Sequence, residues 1–173
     1  QPQPGCDYCA ISGQRQSEMQ HLFRIPKNQI PIIPDGISIP EYLCLTKKAK
    51  RLFYEERLSQ VDIVAITPAR ILRRKNLGVG MEVVAALKKR GKSVRWMITG
   101  APDAHNPESM KYYRMLITLR RKLKIQDEVV FLSDRIKDRI SHEDLCALYR
   151  ISDLLMFPSD REGFGLPVLE AGL

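Results

Sequence analysis

The sequence predicts an α/β fold in which a parallel sheet carries helices on both faces. Four short, nearly continuous apolar runs, VDIVAIT, VRWMITG, VVFL and DLLMFPS, have the composition of strands buried on both sides. Segments of helical period separate them, and strands that alternate with helices at this spacing form parallel, covered sheets. A third observation links the fold to function. The glycines and charged residues that stand out chemically fall just after the runs, where open α/β sheets bind ligands.

The elements follow in order. SEMQHLFRI has the pattern of a short amphipathic helix with Met19, Leu22 and Phe23 inward, and Pro26 stops it. QIPIIP is apolar and proline-flanked, which suits an extended edge segment, and Asp35 and Gly36 form a turn after it. Residues 42–60 are charged and helical in propensity. VDIVAIT, residues 61–67, is the first strand. Asn76 to Lys89 is a helix with Val79, Val83, Val84 and Leu87 on one side and Gly91 as terminator.

VRWMITG, residues 94–100, is the second strand, ended by Gly100. Pro107 to Lys124 is a helix capped by Asn106, with Pro107 at its first position and Met110, Tyr113, Leu116, Ile117 and Leu123 inward. VVFL, residues 129–132, is the third strand. His142 to Arg150 is a helix with Ser141 as N-cap and Asp144 completing a capping box. DLLMFPS, residues 153–159, is the fourth strand, and a further helix begins near Leu166 after a turn through Gly163 and Gly165. The arrangement is Rossmann-like. Its strand ends carry Arg70, Gly100 to Asp103, Leu132 to Asp134 and Ser159 to Phe164, a constellation suited to a nucleotide or phosphate.

Composition narrows the classes. At 173 residues the chain can bury one good core. It has no apolar run of membrane-spanning length, so a cytoplasmic protein is expected, with peripheral contact to an anionic membrane as the softer expectation. The net charge of +8 is spread over separate clusters with the period of solvated helix faces, which argues against nucleic acid as a partner. Cys44 and Cys146, set among leucines, read as small buried hydrophobes of a reducing compartment. Cys6 and Cys9 form a CxxC pair that no second pair or His-rich segment completes into a metal site, and His21, His105 and His142 lack ligand spacing. No GxxxxGK[ST] string marks a Walker site.

The last stretch is the most informative. PSDREGFGLPVLEAG places Glu162 and Glu170 eight positions apart around a glycine-broken turn, after a buried strand and at the start of a helix whose N–H groups are unpaired. Upstream, Arg70 and Lys75 in TPARILRRKN offer a planar guanidinium and a mobile ammonium, a pair able to hold a diphosphate at two points. Arg73 and Arg74 between them read as surface charge.

Glu162-x7-Glu170, with Phe164, Gly165, Leu166 and Pro167 inside it, resembles the motif of the retaining glycosyltransferases of GT-B fold, in particular the GT4 family. GKSVRWMITG and the Asp35, Gly36, Ile37 stretch add to the likeness, which runs from about Ser12 to the last residue. The resemblance implies the donor-binding lobe of a two-lobed enzyme, incomplete at its C-terminal end. Residues 1–34 are then the end of the acceptor-side lobe and the inter-lobe linker, and residues 35–173 the nucleotide-sugar-binding domain. It implies that Arg70 and Lys75 clamp the donor's phosphates, that Glu162 and the Phe164 to Leu166 backbone hold the sugar, and that Glu170 binds the ribose hydroxyls. Gly100 and Leu132, at the ends of the second and third strands, complete the expected donor site. The Phe164 and Leu166 side chains are expected to pack inward.

The implied partners are a nucleoside-diphosphate sugar and a hydroxyl acceptor, a sugar or a lipid-linked group. No cofactor and no metal is implied. A non-catalytic nucleotide-sugar-binding or regulatory protein is the main alternative, and a basic nucleic-acid-binding domain the weaker one. A glycosidase's acid and base would explain two carboxylates, but not the Arg70 and Lys75 clamp.

Overall fold

A computed structural model of the chain describes residues 5–34, 43–162 and 164–172. The expected turns at Asp35, Gly36 and Gly163 lie outside the described residues. The chain divides into two compact units, Gln1–Tyr42 and Leu43–Leu173.

In the first unit, helix α1 (Gly13–Phe23) starts at Ser12, whose hydroxyl accepts from the Arg15 amide, and ends at Arg24 in the left-handed region. The helix begins four residues before the expected SEMQHLFRI segment. None of its residues is buried, and Leu22 is 74% exposed, so the expected inward role of Leu22 is not met. The packing of this unit runs instead through Ala10 and Ile30, both buried. Ala10 bridges Ile32 in parallel, with its amide donating to the Pro31 carbonyl at 2.9 Å, so QIPIIP is extended as its prolines require.

The second unit holds a four-stranded, all-parallel sheet: β1 (Ile63–Thr67), β2 (Val94–Ile98), β3 (Val129–Phe131) and β4 (Leu154–Leu155). Their order across the sheet is β3, β2, β1, β4. Helices α3 (Leu77–Lys89) and α4 (Pro107–Lys122) pack on one face against Ala65, Trp96, Ile98 and Phe131. Helices α2 (Lys47–Glu55) and α5 (His142–Arg150) cover the other, over Val64, Ile66, Met97 and Val130. The two residue sets alternate along β1, β2 and β3, as the period of a pleated strand demands.

Caps set the helix starts where the sequence places them. The Asn106 side chain accepts from the Glu108 and Ser109 amides, and Ser141 and Asp144 form a reciprocal capping box.

Three details of packing depart from expectation. Helix α3 buries Leu77, Gly80, Met81, Val84 and Ala85, while Val79 and Val83 are over 40% exposed. The stripe passes through a glycine because Trp96 stands there, and a Cβ at Gly80 would overlap the indole ring. Cys44 is exposed at positive φ and Cys146 only half-buried, so neither thiol is the core hydrophobe expected. β4 spans two residues instead of the run from 153 to 159, because the Met156 carbonyl accepts from the Thr67 hydroxyl and the chain turns toward the loop after β1.

The chain visits β1, β2 and β3 in one direction across the sheet, then returns through α5 to lay β4 on the far side of β1. The order therefore reverses between β1 and β4. Outside the carboxyl ends of those two strands lies the crevice where doubly wound sheets bind ligands.

Candidate functional site

Two loops meet at this reversal, residues 68–76 after β1 and 157–162 after β4. Lys75 ends a single 3₁₀ turn, Arg73–Lys75, which buries it although it is charged. Its ammonium lies 2.5 Å from Glu162 Oε1 and 5.6 Å from the centre of the Phe157 ring. A buried cation needs such partners. Arg74 Nη1 takes the other oxygen of Glu162 at 3.3 Å and the Arg161 carbonyl at 3.2 Å. The Lys75 ammonium beside Glu162 holds its carboxyl below the usual range, with hydrogen bonds from Ser159 and Arg74 adding to the effect.

The backbone joins the loops as well. The Asp160 amide donates to the Arg74 carbonyl at 2.9 Å, and Asn76 Nδ2 donates to Asp160 Oδ1 at 2.9 Å. Asn76 thus makes no side-chain cap for α3, although it occupies the N-cap position.

Arg70 is exposed on the rim of an open cleft of about 770 Å³ that runs along the ends of β1, β2 and β3. Leu132 and Ser133 also line it, and Lys137 and Arg139 add positive charge on either side of Asp138. The Ser133 hydroxyl is buried without a hydrogen-bond partner. Gly100 explains how the cleft's upper edge closes. A Cβ there would overlap the Ala69 carbonyl and the Arg70 backbone, so only glycine lets the loop after β1 cross the end of β2.

Glu170 lies elsewhere. It stands on the short helix α6 (Leu166–Ala171), which begins at Gly165 with φ at 79°, a torsion that favours glycine. Its carboxylate accepts from the Tyr149 hydroxyl at 2.9 Å and lines a second cleft of about 470 Å³ with Cys146, Tyr149 and Arg150. Burial and the Glu170 carboxylate raise the Tyr149 phenol. His142 and Leu145 line both clefts, so the two are neighbours along α5.

The structure thus brings Lys75 and Glu162 into contact, sets Arg70 and Leu132 on one cleft, and puts Glu170 on the adjoining one. Phe164 and Leu166 are 78% and 57% exposed, so their side chains do not pack inward as expected. Sequence reasoning missed Arg74, Asn76, Asp160 and Tyr149. All four act through contacts between residues 21 to 88 positions apart, which spacing alone does not reveal. On the β3 side, Tyr113 donates to Asp134 at 2.8 Å, and burial together with that carboxylate pushes its phenol up to about 12. Among the described residues no cluster of three or more His, Cys, Asp or Glu could hold a metal, and no helix is long and apolar enough to cross a membrane.

Known proteins resemble this chain in sequence and in fold. The chain is 27% identical over 164 residues to D-inositol 3-phosphate glycosyltransferase of Nocardia farcinica, covering 94% of this chain and 34% of that enzyme. It therefore spans about a third of that relative's length. Among solved structures, Anabaena Alr3699/HepE in complex with UDP and glucose aligns with a TM-score of 0.59 at 18% identity, over 96% of this chain and 42% of that one. The C-terminal domain of a glycosyl transferase group 1 protein, LpcC, from Francisella tularensis aligns with a TM-score of 0.56 at 19% identity, over 79% and 65%. These alignments place the second unit in the Rossmann-like lobe of the GT-B fold. The family model described as glycosyl transferases group 1 matches residues 50–172, which takes in every strand, both loops at the reversal and both glutamates. This chain belongs to the glycosyl transferases group 1 family, whose members are GT-B glycosyltransferases.

Proposed function

We propose that the protein is a retaining glycosyltransferase of the GT4 type, moving a sugar from a nucleoside-diphosphate sugar to a hydroxyl acceptor. The observation that carries this reading is the buried Lys75 ammonium joined to Glu162 at the strand-order reversal. A cation there suits the departing diphosphate and a carboxylate beside it suits the sugar's hydroxyls. The likeness to a UDP- and glucose-bound structure and to an inositol-phosphate glycosyltransferase supports the same substrate class.

In this reading Arg70 and Lys75 neutralise the charge that builds on the diphosphate as the bond from the anomeric carbon to the phosphate oxygen breaks. Glu162 and the backbone from Phe164 to Leu166 hold the sugar, Glu170 takes the ribose hydroxyls, and Leu132 and Gly100 shape the nucleoside end. The acceptor hydroxyl attacks from the face the diphosphate leaves and passes its proton to a phosphate oxygen. Configuration is kept, and no side chain becomes covalently attached. The acceptor, a sugar or a lipid-linked group, would meet this lobe at the cleft's open side, and contact with an anionic membrane would follow from a lipid-linked one.

The test is a binding screen against UDP-glucose, GDP-mannose, ADP-glucose and UDP-N-acetylglucosamine by titration calorimetry. One donor should bind and lose affinity in E170A. If no donor binds, or the bound donor is insensitive to both Glu170 and Lys75, the assignment fails.

A further inference from the structure

We propose that Arg74 is a positioning residue that holds the Glu162 carboxylate in place for the sugar once a donor's diphosphate has drawn Lys75 away. The inference rests on the donor-site reading above but concerns a residue outside the diphosphate clamp. Glu162 uses its two oxygens separately. Oε1 meets Lys75 at 2.5 Å, and Oε2 meets Arg74 Nη1 at 3.3 Å. A carboxylate whose one partner is needed elsewhere would swing free, since a glutamate side chain has three torsions to explore. Arg74 prevents this, sharing the carboxylate with the Ser159 side chain.

Arg74 is itself anchored. The same Nη1 donates to the Arg161 carbonyl at 3.2 Å, and the Arg74 carbonyl accepts from the Asp160 amide at 2.9 Å. Asn76 Nδ2, two residues on, grips the Asp160 carboxylate at 2.9 Å. The guanidinium therefore reaches Glu162 from a backbone already tied to the loop that carries it. Nη1 carries two N–H bonds, so this one nitrogen can serve the carboxylate and the carbonyl together. When diphosphate engages Lys75, Oε1 is released toward the sugar while Oε2 stays fixed. In this reading Arg74 acts on the sugar through Glu162.

The division of labour gives a distinct readout. Arg70 and Lys75 act on the diphosphate and Glu162 on the sugar, so loss of Arg74 should weaken only the sugar's share of binding. Titration calorimetry on wild type, R74A and R74K would use matched pairs, UDP with UDP-glucose, GDP with GDP-mannose and ADP with ADP-glucose. R74A is expected to weaken the nucleotide sugar by about 5- to 10-fold, the scale of removing one charge-assisted hydrogen bond from a positioned carboxylate. The bare nucleoside diphosphate should change by less than about 2-fold, and R74K should recover part of the loss. Equal weakening of both ligands, or none of either, would overturn the role of Arg74. Failure of wild type to bind any pair would overturn the donor-site reading and this inference with it. The Arg74 side chain is half exposed, so the fold should survive, and R74M, which keeps the aliphatic stem, serves if R74A does not.

Discussion

The two sides of β1 are built by different means. Toward β2, five residue pairs from Ile63–Val94 to Thr67–Ile98 form an unbroken ladder over a dry core that includes Trp96, Met97 and Ile98, all fully buried. Toward β4 only Ala65–Leu154 and Ile66–Leu155 pair, and Leu154 is 44% exposed. Polar groups take over there. The Asp153 carboxylate accepts from the Val64 amide at 2.8 Å, Thr67 donates to the Met156 carbonyl, and the Lys75, Arg74 and Glu162 cluster lies beyond. Burial of apolar surface is non-directional and tolerant of a moving ligand elsewhere, whereas charge-assisted contacts are directional and exchangeable. The first side is a scaffold and the second carries the candidate site.

Substitution on the scaffold side should have the largest effect. Trp96→Ala removes a fully buried indole that packs on Gly80 and Met156, and a change of this kind costs about 3 to 5 kcal/mol. Thermal unfolding should shift down by about 10 °C or more, and a shift of a degree or two would deny the β1–β2 side its scaffold role.

The matching change on the site side is Lys75→Ala. Under the proposed function it should lower turnover of the complete protein roughly 10²-fold, about 2.7 kcal/mol of lost charge stabilisation. Its melting temperature should move far less than that of W96A, since Glu162 keeps Arg74. A large loss of stability with turnover intact would invert the comparison.

Thr67 joins the two sides. Its hydroxyl accepts from Trp96 Nε1 at 2.9 Å and donates to the Met156 carbonyl, so Thr67→Val would strand one buried donor and one buried acceptor. The cost should be about 2 kcal/mol, seen as a lower midpoint in urea with an unchanged slope. A change in slope would mean that the two sides no longer unfold together.

The same contrast governs what the sequence could tell. The ladder side was legible, because VDIVAIT and VRWMITG are long apolar runs and burial on both faces demands them. Helix starts were legible where a side chain caps its own helix, as at Asn106 and Ser141. The buried face of α3 was not, because its centre is Gly80, whose lack of a side chain gives no hydrophobic signal yet makes room for Trp96. The length of β4 was not, because a side chain on β1 takes the Met156 carbonyl. At the site, Lys75 and Glu162 were legible as residue types in a motif, but their direct contact was not. Arg74 read as surface charge, and half of its side chain is indeed exposed; only the fold brings its guanidinium to a carboxylate 88 residues away.

The smallest expected effect tests the electrostatics of the site side by pH. Lys75 keeps the Glu162 carboxyl below its ordinary 4.5, so the folded state binds that proton less readily than the unfolded chain does. A group depressed in this way contributes stability that is present above 4.5 and disappears as pH falls through its folded value. Glu162→Gln cannot titrate and lacks that contribution at every pH. At pH 7 the wild type should melt above E162Q by about 1 to 3 °C, a small margin because the cluster is partly solvated. Below pH 4.5 the two curves should converge. Asp62, Glu143 and Asp144 are also depressed and have the same sign, but they are present in both proteins and cancel in the difference. W96A should show no such convergence with wild type, because the contacts it removes involve no acid that titrates in this range. Parallel melting curves for wild type and E162Q down to about pH 3 would mean that Lys75 and Glu162 are not joined in solution, and the site side would then lack the ion pair that distinguishes it from the scaffold.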